Sequence, residues 1–295
     1  MWKNLICLIF VVSSLVSFSS TTRIPERDNT DTNSLTNSQF AELRAQQRNS
    51  DTVIGGLFNA LKAEQERQRK LTDELVQESA KRNSFFNPHN CTEAKFSGIY
   101  DIVVPNLSSQ PFKVECDANT RGGGWTIILR RMDGSIDFYR NWAAYKKGFG
   151  ELYGEFFLGL DKIHALTADG NQELLVVLED FKGNEKFELY DSFAIGDEDQ
   201  EYALHTLGEA SGTAGDSLRR QYRMAFSTYD RDNDIWQGGN CATSSLGAWW
   251  YASCHDSNLA GTYDDDRFTK GVNWVTFKGY EYSLKKAVMM IRTKK

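Results

Sequence analysis

The chain has 295 residues, with 34 Lys and Arg against 40 Asp and Glu, a formal net charge of −6 at pH 7. That balance, with no basic patch, excludes nucleic acid as a partner. After one early apolar run, no stretch is long and apolar enough to span a membrane.

Lys3 precedes the apolar run Leu5 to Val16, and Ser-rich small residues follow. A charged start, a short apolar run and a cleavage site near Ser19 or Ser20 predict a secretory signal peptide over 1–20. The protein is therefore expected to be secreted and extracellular. Cys7 leaves with that segment, and Cys91, Cys116, Cys241 and Cys254 remain. Four cysteines in an oxidising compartment predict two disulfides, with three pairings formally open. No Cys-x-x-Cys spacing supports a zinc site.

Residues 21–52 are rich in Thr, Ser, Asn, Asp and Arg and predict a flexible polar segment. Residues 53–84 turn to Ala, Leu, Glu, Gln, Lys and Arg, good helix formers. Leu57, Leu61, Leu71 and Leu75 fall on heptad a or d positions, and the same register collects Phe40, Leu43 and Ile54. Glu64, Gln68 and Glu78 also fall on that seam, and Gly55-Gly56 interrupts it. The weak heptad predicts a helical stalk, a short coiled coil that gathers copies into a homo-oligomer; a solvated single helix is the alternative. Phe85-Phe86-Asn87-Pro88 ends it, since Pro disfavours a helical residue before it.

Residues 88–295 are ample for their own core and read as mixed α and β. Buried strands are expected at 125–129, 174–178 and 287–291, with another at Phe187 and Leu189 reaching toward Phe193. Gly122-Gly123-Gly124 permits a close turn into Trp125. The acidic, Gly-rich segment 191–215 reads as loop. Asn90-Cys91-Thr92 and Asn106-Leu107-Ser108 match the glycosylation sequon, and Asn106, between turn-like residues, is the better acceptor.

The stretch 226–241, FSTYDRDNDIWQGGNC, sets Asp230, Asp232 and Asp234 two apart. Carboxylates so spaced can converge on calcium, which takes six to eight oxygens. An EF-hand is excluded, because Ile235 and Cys241 stand where its Gly and bidentate Glu belong. A solvated acidic turn is the alternative.

The motifs GGGWTIILRRMDGSIDFYRNW (122–142), FSTYDRDND (226–234), NCA (240–242), GAWWYASCHDSNLAGTY (247–263) and YSLKKAVMMIR (282–292) stand in one order over about two thirds of the chain. Through them the chain, from Cys91 onward, resembles a fibrinogen C-terminal domain, the module of ficolins, tachylectins, angiopoietins and tenascins. The resemblance implies an α+β fold, an antiparallel sheet stapled by Cys91–Cys116 and Cys241–Cys254. It implies Ca2+ on the carboxylates of Asp232 and Asp234 and the carbonyls of Trp236 and Gly238, with Asp230 structural. One extra residue between Asp234 and Cys241 departs from the family pattern and bears on those carbonyls. A cis Ser253–Cys254 peptide is implied, aiming the N–H groups of Cys254 and His255 into a ligand pocket. Phe268 and Thr269 stand where acetyl-binding relatives have Tyr-Ala, Tyr280 adds an aromatic wall, Ser245 lies near the rim, and Ala260 replaces a usual Asn.

Trp249 and Trp250 read as core anchors, and His164 and His205 as lone histidines. An enzyme is excluded: Cys254 in a disulfide offers no thiolate for His255 to activate. The expected function is a calcium-dependent lectin that binds glycans or acetylated groups on microbial or cell surfaces. The alternative is a signalling or matrix ligand, angiopoietin-like or tenascin-like, whose same face binds a protein receptor.

Overall fold

The computed structural model describes residues 37–86, 88–168 and 171–294. The signal peptide expected over 1–20 and the first part of the polar segment lie outside them. The chain divides into two units, Met1–Asp73 and Glu74–Lys295.

Helix α1 runs from Asn37 to Phe86. It takes in 37–52, which the sequence assigned to flexible chain, and it passes through Gly55-Gly56 without a break. The Ala, Glu, Leu, Arg and Gln of 41–48 are helix formers that outweigh the neighbouring Ser, Thr and Asn. Thr52 Oγ1 donates back to the Arg48 carbonyl at 2.8 Å, so its hydroxyl follows the helix instead of capping it. The seam residues Leu43, Ile54, Leu57, Leu61 and Leu71 are all exposed. The side chains of Leu75 and Glu78 lie outside the described set.

The second unit is built on strands β1 (Gly98–Ile102), β2 (Phe112–Asp117) and β3 (Trp125–Arg131), then helix α2 (Trp142–Lys147). Next come β4 (Phe149–Gly150), β5 (Phe156–Phe157), helix α3 (Leu160–Ala168), β6 (Gln172–Glu179) and β7 (Glu185–Tyr190). Short strands β8 (Phe193–Ala194), β9 (Thr206–Leu207) and β10 (Ala210–Gly212) follow. Helix α4 (Cys241–Ser245), β11 (Ser257–Asn258), β12 (Asn273–Trp274), helix α5 (Val275–Lys278) and β13 (Lys286–Thr293) complete it.

The main sheet runs β1-β2-β3-β13-β6-β7-β10 with antiparallel neighbours, and β5 pairs with β3 and β4. The last strand, β13, thus inserts between β3 and β6. This suits its run Ala287 to Ile291, which is buried throughout, as a central strand requires. β3 is buried along its whole length. Gly123 enters it at φ +68, and a Cβ there would lie 2.2 Å from the Ala118 carbonyl oxygen. The disulfides are Cys91–Cys116 and Cys241–Cys254, with Cα atoms 5.4 and 5.5 Å apart.

The segment 191–215 holds three short strands where the sequence suggested loop. Its acidic residues bond the local backbone: Asp191 accepts from the Glu209 N–H at 2.8 Å and sets β10 beside β7. Phe193 belongs to β8, so β7 ends at Tyr190. Trp249 and Trp250 are core residues, as expected, and their indole N–H groups donate to Ser257 and to the Tyr202 carbonyl.

A buried ion pair ties this sheet to the C-terminal loops. Arg131, at the end of β3, and Glu155, just before β5, are 1% and 0% exposed and 3.4 Å apart. The guanidinium also donates to the carbonyls of Leu259 (3.0 Å) and Gly261 (2.7 Å), and it lies 3.9 Å from the Phe138 ring centroid. Glu155 accepts the N–H groups of Met132 (2.8 Å) and Ile136 (3.1 Å). Removing one partner of such a pair leaves an uncompensated buried charge, so Glu155→Gln is expected to cost about 3–5 kcal/mol. Chemical denaturation with an unchanged slope measures this; a loss under about 1 kcal/mol would refute the role.

Candidate functional site

The aspartate run divides by role. Asp230 accepts from the Trp142 N–H at 2.9 Å and from the Thr228 hydroxyl at 2.7 Å, so it holds the N-terminus of α2 and is structural. Asp232 is exposed, and its carboxylate meets the Asp234 N–H at 3.3 Å. Asp234 accepts from the Trp236 N–H at 2.8 Å and from the Cys241 N–H at 2.7 Å. Burial pushes the Asp234 carboxyl up to about 6, its two N–H donors act against that, and the Asp232 charge adds to the rise. Neither Asp232 nor Asp234 is paired with a Lys or Arg among the described residues.

These residues fit a hard cation. Two uncompensated carboxylates share one turn, and among the described residues no N–H takes the carbonyls of Trp236 or Gly238. The stretch 235–239, between Asp234 and Asn240, is exposed throughout. Calcium would be held by Asp232, Asp234 and the carbonyls of Trp236 and Gly238, the oxygen chemistry that this ion takes.

One hydrogen bond joins this loop to the second disulfide, since Asp234 grips the N–H of Cys241, whose sulfur is bonded to Cys254. The Ser253–Cys254 peptide is cis. The N–H groups of Cys254 and His255 have no acceptor among the described residues, whereas backbone donors in folded proteins are almost always paired. Arg220, which the sequence did not single out, donates to the Ser253 carbonyl at 2.7 Å and pairs with Asp256 at 3.2 Å. Asp256 in turn accepts from the Tyr280 hydroxyl at 2.9 Å and fixes that ring.

The structure brings Phe268 and Tyr280 together, with ring centroids 5.3 Å apart, and sets Tyr280 6.1 Å from His255. Phe268 is 60% exposed. Thr269 sits at φ +68, an outlying conformation for a β-branched residue. Its N–H donates to the Tyr280 carbonyl, and its own carbonyl faces His255 Nε2 at 3.3 Å. His255 is 3% exposed, and burial lowers its pKa to about 4, so the ring is neutral near pH 7. A carbonyl opposite Nε2 puts the proton there and leaves Nδ1, buried and without a partner, as a bare acceptor. The Nε2–H of the imidazole is therefore engaged by Thr269, and the unengaged donor at this position is the backbone N–H.

Ser245 is placed differently from its expected rim position. It is 1% exposed at the end of α4, and its carbonyl accepts from Asn258 Nδ2 at 3.2 Å beneath the site. The four-residue spacing from buried Cys241 turns it inward on the same helical face. Of the two sequons, Asn106 is exposed. Asn90 is half-buried, capping Thr92 and donating to Thr293 Oγ1 at 3.3 Å. A cleft of about 390 Å³ between Arg131, the 134–139 turn and Gly261–Tyr263 takes in none of the predicted ligand residues. Arg220 and Asp256 carry no local signal, because they matter only through chain segments brought together by the fold.

The profile of fibrinogen beta and gamma chains, C-terminal globular domain, matches residues 87–294. Ryncolin-4 of Cerberus rynchops is 49% identical over 185 residues, 62% of this chain and 53% of its own, so the match spans about half of that relative's length. Among solved structures, the fibrinogen-like globe domain of human ANGPTL2 is similar at TM-score 0.67 and 43% identity, covering 70% of this chain and 99% of that one. The corresponding domain of human ANGPTL6 gives 0.66 and 41%, covering 70% and 96%. Lamprey fibrin D-dimer, complexed with the peptide Gly-His-Arg-Pro-amide, gives 0.64 and 29%, covering 85% and 92%.

Calcium takes only the ionised carboxylate. Since Asp234 is raised to about 6 from an ordinary 3.8, the metal-free fold keeps a proton that the unfolded chain has lost. The metal-free domain is thus least favoured by this group above about pH 6, and calcium affinity is expected to fall as pH drops through that value. Titration calorimetry at pH 7.5 and 5 tests it; an affinity flat over that interval would sink the assignment of Asp234 as a ligand.

Proposed function

The chain belongs to the family of fibrinogen C-terminal globular domains, and from that premise we propose a secreted, calcium-dependent, lectin-type recognition protein that binds glycans or acetylated groups on microbial or cell surfaces. The observation that carries this reading is the pair of backbone donors at Cys254 and His255, without acceptors among the described residues, beside the rings of Phe268 and Tyr280. A carbonyl oxygen takes such donors, and the methyl of an acetamido group packs against aromatic faces. Calcium would neutralise Asp232 and Asp234 and stiffen the loop that grips Cys241. The domain is a binding module and not an enzyme: Cys254 is in a disulfide, so His255 has no thiolate beside it.

A single sugar contact is weak, and clustering several heads raises avidity without new contacts. The exposed seam of α1, Leu43, Ile54, Leu57, Leu61 and Leu71, suits burial against further copies of the same helix. Light scattering of the purified protein is expected to report an oligomer, and truncation of residues 37–73 to return it to a monomer. An intact chain that is strictly monomeric at micromolar concentration would remove the stalk's role.

A second reading keeps the same face and changes the partner. Phe268 is more than half exposed and has no hydroxyl, which favours an apolar protein contact as in an angiopoietin-like or matrix ligand. The peptide carried by the lamprey fibrin relative is consistent with such use of the fold.

Retention on an N-acetylglucosamine resin separates the two. Calcium-dependent retention released by chelator and by free acetate is the expected result. No retention, with calcium binding intact by calorimetry, would exclude the acetyl reading and favour a protein receptor.

A further inference from the structure

Trp236 differs from every other described tryptophan. Trp125, Trp142, Trp249, Trp250 and Trp274 are buried, and each donates its indole N–H within the fold. Trp236 is 36% exposed, and its Nε1–H has no acceptor among the described residues. The ring is nevertheless seated. A Cβ on Gly238 would lie 2.7 Å from Trp236 Nε1, and one on Gly239 would lie 3.5 Å from the ring, so the indole rests on a backbone stripped of side chains. Its main-chain N–H is held by Asp234.

The loop that carries this indole is bonded to the chain that leads into the donor pair. The preceding residue, Ile235, donates its N–H to the Ala252 carbonyl at 3.3 Å, and Ala252 adjoins Ser253–Cys254. Asp232 and Gln237, in the same loop, are also exposed and polar. An aromatic face with a free N–H and polar neighbours matches one occupant well. A pyranose ring presents an apolar C–H face to stack on the indole, and hydroxyls to meet the N–H and its neighbours. A purely apolar occupant would bury that N–H unpaired, at a cost.

We infer that Trp236 is a stacking platform for a second sugar ring, so that the site takes a glycan of at least two rings. One acetamido group meets the N–H groups of Cys254 and His255, and the adjoining pyranose covers the indole. This rests on the glycan reading above. Because the carbonyls of Trp236 and Gly238 are candidate calcium ligands, the metal would also fix the platform's position.

The test compares N-acetylglucosamine with its β1,4-linked dimer on the full secreted chain at saturating calcium, read by fluorescence and acrylamide quenching. The dimer is expected to bind roughly 2- to 10-fold tighter than the monomer. It should also shield the quenchable emission that Trp236→Phe removes. In Trp236→Ala the dimer-to-monomer affinity ratio should fall to about one, whatever happens to calcium affinity, while Trp236→Phe keeps part of it. An unchanged ratio in Trp236→Ala, or a bound dimer that leaves quenching untouched, overturns the platform and leaves the glycan reading standing. If neither sugar binds, the glycan reading fails and the platform with it. Shielding by phosphatidylserine vesicles but not by sugar would assign the indole to a membrane and overturn the proposal.

Discussion

The buried Arg131–Glu155 pair constrains the rest of the domain. Each ion taken out of water costs several kcal/mol, and that cost is offset only when every bond around the pair is made. Those bonds reach the end of β3, the turn at 132–136 and the carbonyls of Leu259 and Gly261. They therefore fix where the C-terminal loops leave the sheet. The segment that follows carries Phe268 and Thr269, so the aromatic wall inherits its position from a charge pair at the end of β3. A hydrophobic pair of similar volume would fill the space without specifying which carbonyls must meet it.

The site itself is held by three short chains of contact. Asp234 grips Cys241, and the disulfide carries that constraint to Cys254. Arg220 binds the Ser253 carbonyl and Asp256, and Asp256 holds Tyr280. The Thr269 backbone joins Tyr280 on one side to His255 on the other. Each chain begins in a different part of the sequence, and each ends at the two unpaired N–H groups or at the rings beside them. A residue at φ +68 with a branched side chain holds strain of about 1–3 kcal/mol, and such strain concentrates where the surrounding structure has a task to perform.

Much of this was legible in the residues. The apolar runs at 125–129, 174–178 and 287–291 are strands because their composition and length leave few alternatives. The structural place of Asp230 followed from a resemblance spread over many motifs. What was hidden was tertiary. Nothing local says that the final strand inserts between β3 and β6, since insertion is a matter of topology. The inward turn of Ser245 depends on a five-residue helix too short for a periodic signal. The helix from Asn37 was masked by Ser, Thr and Asn, whose propensities are poor but whose number is small. Arg220 and Asp256 are ordinary charged residues until the fold sets them under Ser253 and Tyr280.

The exposed leucines of α1 carry a last consequence. The globular unit closes its own core and two disulfides, so its order is independent of how dilute it is. The helix leaves Leu43, Ile54, Leu57, Leu61 and Leu71 exposed, so in the oligomer proposed above its order would follow mass action. On dilution that stalk would loosen while each head stayed folded. Local concentration, and not fold stability, would then decide whether the molecule meets a surface with one head or with several.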